Sequence, residues 1–91
     1  MSDIVVTSIG SHRFHVKVRE DERETRHYHV TVPGSLIEEL QLPEDDLDNV
    51  VRESFVFLLE REPASSIMHE FSLDVISRYF PEYKQTLVQR L

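Results

Sequence analysis

The sequence contains no cysteine and only two glycines. Without cysteine, disulfide bonds, thiolate zinc sites and cysteine nucleophiles are excluded. The glycines, Gly10 and Gly34, are too far apart to form a glycine-rich loop around a phosphate group. The longest uninterrupted apolar run, residues 55–59, is far too short to cross a membrane. Since the N-terminus also shows no secretory signal pattern, we expect a soluble, cytoplasmic protein without membrane contact.

Catalytic motifs are absent as well. No serine lies in a nucleophile elbow, and nothing in the sequence marks a cleft around a pair of carboxylates. The sequence therefore predicts that the chain is not an enzyme and that it uses no cofactor.

What the chain has in excess is negative charge, −7 over 91 residues, a length that predicts one domain spanning residues 1–91. Residues 43–62 hold seven acids and two arginines, a net −5, whereas residues 1–34 and 63–91 are each neutral. An acidic surface repels nucleic-acid phosphates and attracts cations, so we expect a basic protein partner rather than nucleic acid. The alternative to a basic partner is that the negative charge only keeps the protein in solution.

The hydrophobic pattern changes its period at Pro33-Gly34. The residues that alternate before it are Phe14, Val16, Val18, Tyr28, Val30 and Val32, and those at helical spacing after it are Leu47, Val50, Val51, Phe55, Leu58 and Leu59. Period two buries one face of a sheet, and a period of 3.6 buries one stripe of a helix. The pattern predicts an α+β fold: a three-stranded antiparallel sheet followed by a long amphipathic helix and short C-terminal helices.

The strands are predicted at about residues 3–9, 12–19 and 25–32, with a solvated loop at residues 20–24. Two registers are open for the first hairpin. A two-residue turn places Val5 opposite Val16, whereas a three-residue loop places Ile4 and Val6 on the face that carries Phe14. We expect the second register, because it puts these apolar side chains on one buried face.

The helices are predicted at about residues 44–61, 73–80 and 82–90. Ser35 and Glu38 have capping-box spacing for a shorter helix before Pro43. Ser72 is a candidate cap for the 73–80 helix, and residues 67–71 fit either a short strand or a helical turn. Aromatic side chains of the tail are expected to close the core or, alternatively, to form a self-association surface: Phe71, Tyr79, Phe80 and Tyr83.

The second hairpin predicts a sheet face rich in histidine. If Arg19 faces Thr25, His15 lies opposite His29, and Lys17 lies opposite His27. We predict no metal site here, because zinc prefers four donors and the neighbouring Arg13, Lys17 and Arg19 repel cations. The open alternatives are a plain solvated face, a surface for an anion or acidic partner, and a metal-binding face. The outward residues proposed for partner contact are Arg13, His15, Lys17, His27 and His29.

Four acids, Glu44, Asp45, Asp46 and Asp48, open the long helix, where the helix dipole favours negative charge. A calcium loop needs a glycine among its ligands, and none is present. Besides a solvated helix start, this segment is a candidate surface for a basic partner, with Asp45, Asp46 and Glu53 as the predicted contact residues.

Residues 71–79 resemble the recognition helix of a helix-turn-helix protein, with Ser77 and Arg78 as candidate base-reading residues. Against this, residues 63–91 are neutral, whereas DNA-binding elements are usually basic. Transcriptional regulation is therefore the rival hypothesis from another functional class.

Part of the chain is similar to the HicB antitoxin pattern. The matching features are the strand end Tyr28-His29-Val30-Thr31-Val32-Pro33-Gly34, the acidic helix start at residues 46–53, and Leu58-Leu59-Glu60. The family's second glycine-containing turn and terminal DNA-binding module have no match. The resemblance implies an acidic protein that covers a basic RNase toxin, often as a dimer. Together with the exposed sheet edges, it predicts a non-catalytic interaction domain that forms a homodimer.

Overall fold

The computed structural model describes residues 3–19 and 24–91, so the predicted loop at residues 20–24 lies almost wholly outside the described part. Its strands are β1 (Asp3–Gly10), β2 (Arg13–Arg19), β3 (Thr25–Thr31) and β4 (Glu70–Ser72). Its helices are α1 (Gly34–Leu40), α2 (Leu47–Arg61), α3 (Ile76–Tyr79) and α4 (Tyr83–Arg90), with short 3-10 turns at Glu44–Asp46, Ala64–Ser66 and Leu73–Val75. The strands form one sheet in the order β1-β2-β3-β4, which confirms an α+β fold.

The fourth strand corrects the predicted sheet of three antiparallel strands. β4 pairs in parallel with β3, with Phe71 beside Val30, so the sheet is mixed. Parallel neighbours need a crossover connection, which α1 and α2 supply. Because β4 has only three residues, it shows too little alternation to be separated from a helical turn by sequence pattern.

The first hairpin adopts the register expected from burial, and the second adopts the register considered for it. In the first, Val6 lies opposite Val16 and Ser8 opposite Phe14, with an irregularity between Ser8 and Gly10. The turn is completed by His12, which has a left-handed φ of 58°. In the second, Arg19 faces Thr25, so His15 lies opposite His29 and Lys17 opposite His27. All core-facing residues of β2 are consequently buried.

The long helix begins as a 3-10 turn at Glu44–Asp46 and continues as α2 to Arg61. Its buried side is formed by Leu47, Val50, Val51, Ser54, Phe55, Phe57 and Leu58. The capping box predicted at Ser35 does not form: α1 begins at Gly34, and the carbonyl of Pro33 accepts the N–H groups of Leu36 and Ile37. Ser72 does precede a helical segment but makes no side-chain capping bond.

Aromatic rings join the helices to the sheet. Phe55 packs against Tyr28 and Phe71, at ring-centroid distances of 5.2 and 6.0 Å, and Phe57 packs against Tyr83 at 5.3 Å. Tyr79 departs from the expected core role: it is 69% exposed. The inward side of that segment is taken instead by Leu73 and Ile76, which are buried. None of the described helices is long and apolar enough to cross a bilayer.

Candidate interaction surfaces

The sheet has one covered face and one open face. Side chains of β2 and β3 that point toward α2, such as Val16 and Tyr28, are fully buried, whereas their sequence neighbours are half-buried or exposed. The outward side chains of β2 and β3 form what we call the histidine face: Arg13, His15, Lys17, Arg19, His27 and His29. Five of these six residues are the sheet residues that the sequence proposed for partner contact.

The three histidines of this face are in contact with one another. The His15 ring stacks on the His27 ring at 5.1 Å and lies 5.5 Å from the His29 ring. His15 Nε2 and His27 Nδ1 are 2.9 Å apart, so one ring nitrogen donates a hydrogen bond and the other accepts it. The contact requires at least one of the two imidazoles to be neutral, because a doubly protonated pair has no acceptor.

Electrostatics disfavour a proton on the central histidine. Burial lowers the pKa of His15 below its ordinary value, and the neighbouring His27, His29 and Lys17 lower the pKa further by charge repulsion. Within residues 3–19 and 24–91, no three side chains of the ligating types are placed to hold one metal ion. The fixed positive charge of the histidine face therefore comes from Arg13, Lys17 and Arg19 rather than from His15.

A further histidine lies at the border of the sheet and was not identified from the sequence. His69, just before β4, donates from Nδ1 to the carbonyl of His27 at 3.2 Å, and its own carbonyl accepts the N–H of His29 at 2.7 Å. Its ring also stacks on Tyr28. Because these contacts depend on β4 returning beside β3, no local sequence pattern announces them.

The acidic residues that open α2 form a second surface, on the helical layer. We call residues 44–53 the acidic segment: five carboxylates, Glu44, Asp45, Asp46, Asp48 and Glu53, and one arginine, Arg52, a net charge of −4. Glu44, Asp45, Asp46 and Asp48 are exposed. The N-cap residue Asp46 makes no side-chain capping bond, so the dipole of α2 is the interaction that favours these acids locally.

Three carboxylates elsewhere on the helical layer are neutralised by ion pairs, whereas Glu38, Glu62 and Asp74 have no ion-pair partner among the described residues. Lys84 Nζ lies 2.8 Å from Glu39, Arg90 lies 2.6 Å from Glu60, and Arg61 lies 3.6 Å from Glu82. By contrast, no carboxylate of the acidic segment has an ion-pair partner within the described part of the chain. The unneutralised charge of this layer is therefore concentrated at the start of α2.

The predicted partner residues thus lie on two separate surfaces rather than one. Arg13, His15 and Lys17 belong to the open sheet face, whereas Asp45 and Glu53 belong to the helical layer that covers the other face. The sequence could identify both groups but could not show on which side of the sheet each lies.

The residues proposed for DNA reading belong to a very short helix. α3 has four residues, and it follows the 3-10 turn at Leu73–Val75 rather than a separate helix with a turn. Ser77 is half-buried, and its hydroxyl donates to the carbonyl of Asp74 at 2.8 Å, whereas Arg78 is exposed. Only Arg78 of the pair is therefore free to reach a phosphate or a base.

An apolar groove of about 440 Å³ lies between the end of α2 and the tail. Its walls include Leu58, Met68, Phe71 and Phe80, with Tyr79 at the rim. Its walls come from segments that are distant in the sequence, so no single periodic pattern predicts it.

Comparisons with known proteins returned no match: no family model, no curated protein and no solved structure is similar to this chain. The similarity to HicB antitoxins therefore stays a prediction from the quoted residues.

Proposed function

We propose that this chain is a non-catalytic interaction domain that binds a basic protein partner through the acidic segment. The observation that carries the proposal is the difference between two groups of carboxylates on one layer. Glu39, Glu60 and Glu82 are neutralised by lysine and arginine, whereas the five carboxylates of the acidic segment have no such partner among the described residues. Charges left unpaired at a surface attract an oppositely charged partner and speed its association.

The expected partner is a basic surface of a small protein, as an antitoxin-like function would require. Its lysine or arginine side chains would approach Glu44, Asp45 and Asp46 from solvent. They would form ion pairs with these carboxylates without displacing an ion pair within the chain. Since the contacts are exposed, each pair contributes about 0.2–1 kcal/mol, and binding weakens as salt increases.

The proposal is tested with a lysine-rich peptide and two variants of equal net charge. Asp45→Asn/Asp46→Asn removes two unpaired carboxylates, and Glu39→Gln/Glu82→Gln removes two paired ones. We expect the first variant to bind the peptide about 2- to 30-fold more weakly than the wild type. The second should bind nearly as well as the wild type. Equal losses in both variants, measured by calorimetry at low salt, would show that only net charge matters and would refute the proposal.

A second candidate function is recognition of an acidic partner by the histidine face. The observation that favours it is the contact among His15, His27 and His29 beside Lys17, on a sheet face that no described element covers. Lys17 gives this face a fixed positive charge, and a proton bound by an imidazole would add to it.

Titration with a glutamate-rich peptide distinguishes the second candidate from the first. Binding should strengthen as the pH falls and should weaken by up to about 5-fold in Lys17→Gln but not in Arg78→Gln, an exposed cation on another element. Chemical shifts that stay unchanged at β2 and β3 would exclude this surface.

A further inference from the structure

β1 is an open edge of the sheet. It is eight residues long, and among the described residues its backbone pairs only with β2. Two of its outward side chains are large and apolar, Val5 at 47% and Ile9 at 50% exposure, with Thr7 between them. Long exposed edge strands readily pair with another strand, so natural proteins usually shield them or use them.

A depression of about 460 Å³ lies at the Asp3 end of the same strand. Its apolar walls are Ile4 and Val5 of β1 and Val56 of α2, and its charged walls are Asp3, Lys17, Arg19 and Arg52. Val56 is half-buried, as is Leu59, whereas the other apolar residues of α2 are buried in the core. One end of β1 therefore presents a depression with both apolar and charged walls, and the other end presents the exposed Ile9.

We propose that β1 pairs antiparallel with β1 of a second copy, centred on Thr7, so that one continuous sheet runs through a homodimer. Opposed residues in such a pair point to the same face of the sheet, so outward residues must face outward residues. Centring on Thr7 places Val5 of each copy opposite Ile9 of the other. Each Ile9 then lies beside the depression at the other copy's Asp3 end.

Other registers place Val5 and Ile9 opposite polar or charged residues. Centring on Val6 puts Ile9 opposite the charged Asp3, and centring on Ser8 puts Ile9 opposite Thr7 and leaves Val5 facing the Ser11 turn. In the Thr7 register both apolar residues face an apolar partner, and Thr7 faces its own copy, a favourable cross-strand pair. Asp3 also lies beside the other copy's turn, next to Arg13, which has no ion pair within the described residues.

This inference goes beyond the proposed function and does not depend on it. The dimer uses the β1 edge, whereas the basic partner would use the acidic segment at the start of α2. Loss of one interaction can therefore be measured while the other is retained.

Disulfide trapping tests the register, because the natural chain has no cysteine. Opposed Cα atoms in antiparallel strands are about 4.5 or 5.5 Å apart, within the range that a disulfide spans. With oxidised glutathione as the oxidant, Thr7→Cys should form a covalent dimer. Val5→Cys and Ile9→Cys should each form no covalent dimer alone and should crosslink when mixed. Tyr79→Cys, an exposed control on α3, should crosslink no faster than chance collision allows.

Two results would overturn the proposal. The first is a Thr7→Cys rate no higher than that of Tyr79→Cys, which would mean that the edges do not pair. The second is efficient crosslinking of Val5→Cys or Ile9→Cys alone, which would mean a different register. Sedimentation gives an independent readout: Ile9→Lys should shift the dimer to monomer, whereas Tyr79→Lys should not. Circular dichroism of both lysine variants checks that the fold is kept, and a dimeric, folded Ile9→Lys protein would also refute the inference.

Discussion

The contact between α2 and α4 centres on two buried hydroxyl groups. Ser54 and Tyr83 are both fully buried, and their oxygens are 2.7 Å apart. Ser54 Oγ also donates to the carbonyl of Val50 at 2.8 Å, so its single proton is used. The Tyr83 hydroxyl must therefore donate to Ser54 Oγ. Because Tyr83 is the donor and Ser54 the acceptor, we expect Tyr83→Phe and Ser54→Ala to lower the free energy of unfolding by different amounts.

Removing the donor should be less harmful than removing the acceptor. Tyr83→Phe deletes one hydrogen bond and leaves Ser54 bonded to Val50, so we expect a loss of about 0.5–1.5 kcal/mol in unfolding free energy. Ser54→Ala leaves the Tyr83 hydroxyl buried without a partner, which costs about 1–3 kcal/mol before a gain of a few tenths from alanine's helix propensity. The double variant should lose about as much as Tyr83→Phe alone.

The Tyr83 hydroxyl also makes the free energy of unfolding decrease at high pH. Burial raises the pKa of Tyr83 well above its ordinary value, and the nearby Asp74 raises the pKa further, against an opposing effect of the Ser54 hydrogen bond. The unfolded chain releases this proton near pH 10, and the folded chain does not. Stability from this group is therefore complete below pH 10 and falls above it by about 1.4 kcal/mol per pH unit.

Urea unfolding followed by far-UV circular dichroism measures both effects in a double-mutant cycle. The high-pH decrease should be smaller in Tyr83→Phe than in the wild type, because the phenylalanine variant has no hydroxyl to ionise. Equal losses for Ser54→Ala and Tyr83→Phe, with an additive double variant, would refute the assigned hydrogen-bond order. An unchanged pH profile in Tyr83→Phe would refute the linkage argument.

Three further predictions concern other parts of the fold. Phe55→Ala should destabilise the protein by about 3–5 kcal/mol in urea unfolding, since the ring packs between Tyr28 and Phe71; a loss comparable to a surface substitution would contradict this packing. Gln41→Gly should raise the melting temperature, with a gain of up to about 1 kcal/mol, because Gln41 has a left-handed φ of 53°; a lower melting temperature would count against this. Proton NMR should show the His15 pKa below its ordinary value and rising in His27→Asn. Because the folded pKa is the lower one, this group's contribution to stability decreases as pH falls below about 6.5; a His15 pKa unaffected by His27→Asn would contradict the coupling.

Local sequence patterns were sufficient to predict strand register where burial of apolar side chains allows only one arrangement. The alternation in β1 and β2 allowed two registers, and only one places Ile4 and Val6 on the covered face, which is the register observed. In the second hairpin, the register in which Arg19 faces Thr25 places His15 opposite His29, and this register is observed. The positions of charged residues along the sequence are enough to show that the start of α2 is acidic and that the tail is neutral.

Patterns failed where a residue's partner is distant in the chain. β4 has three residues, and it is a strand because β3 offers it a free edge. Ser35 has capping spacing, but the Pro33 carbonyl accepts the first helical N–H groups in its place. Tyr79 has a large aromatic side chain of the kind expected in a core, yet Leu73 and Ile76 occupy the inward side of that segment.

The sequence by itself determined which residues alternate, which recur at helical spacing, and where the negative charge lies, because these depend on neighbours a few positions apart. Tertiary structure decided the remainder: that β4 joins β3, that Ser54 meets Tyr83, and that the acidic segment and the histidine face lie on different sides of one sheet. Those outcomes depend on how the crossover returns the chain across the sheet, and no spacing within a single element encodes that path.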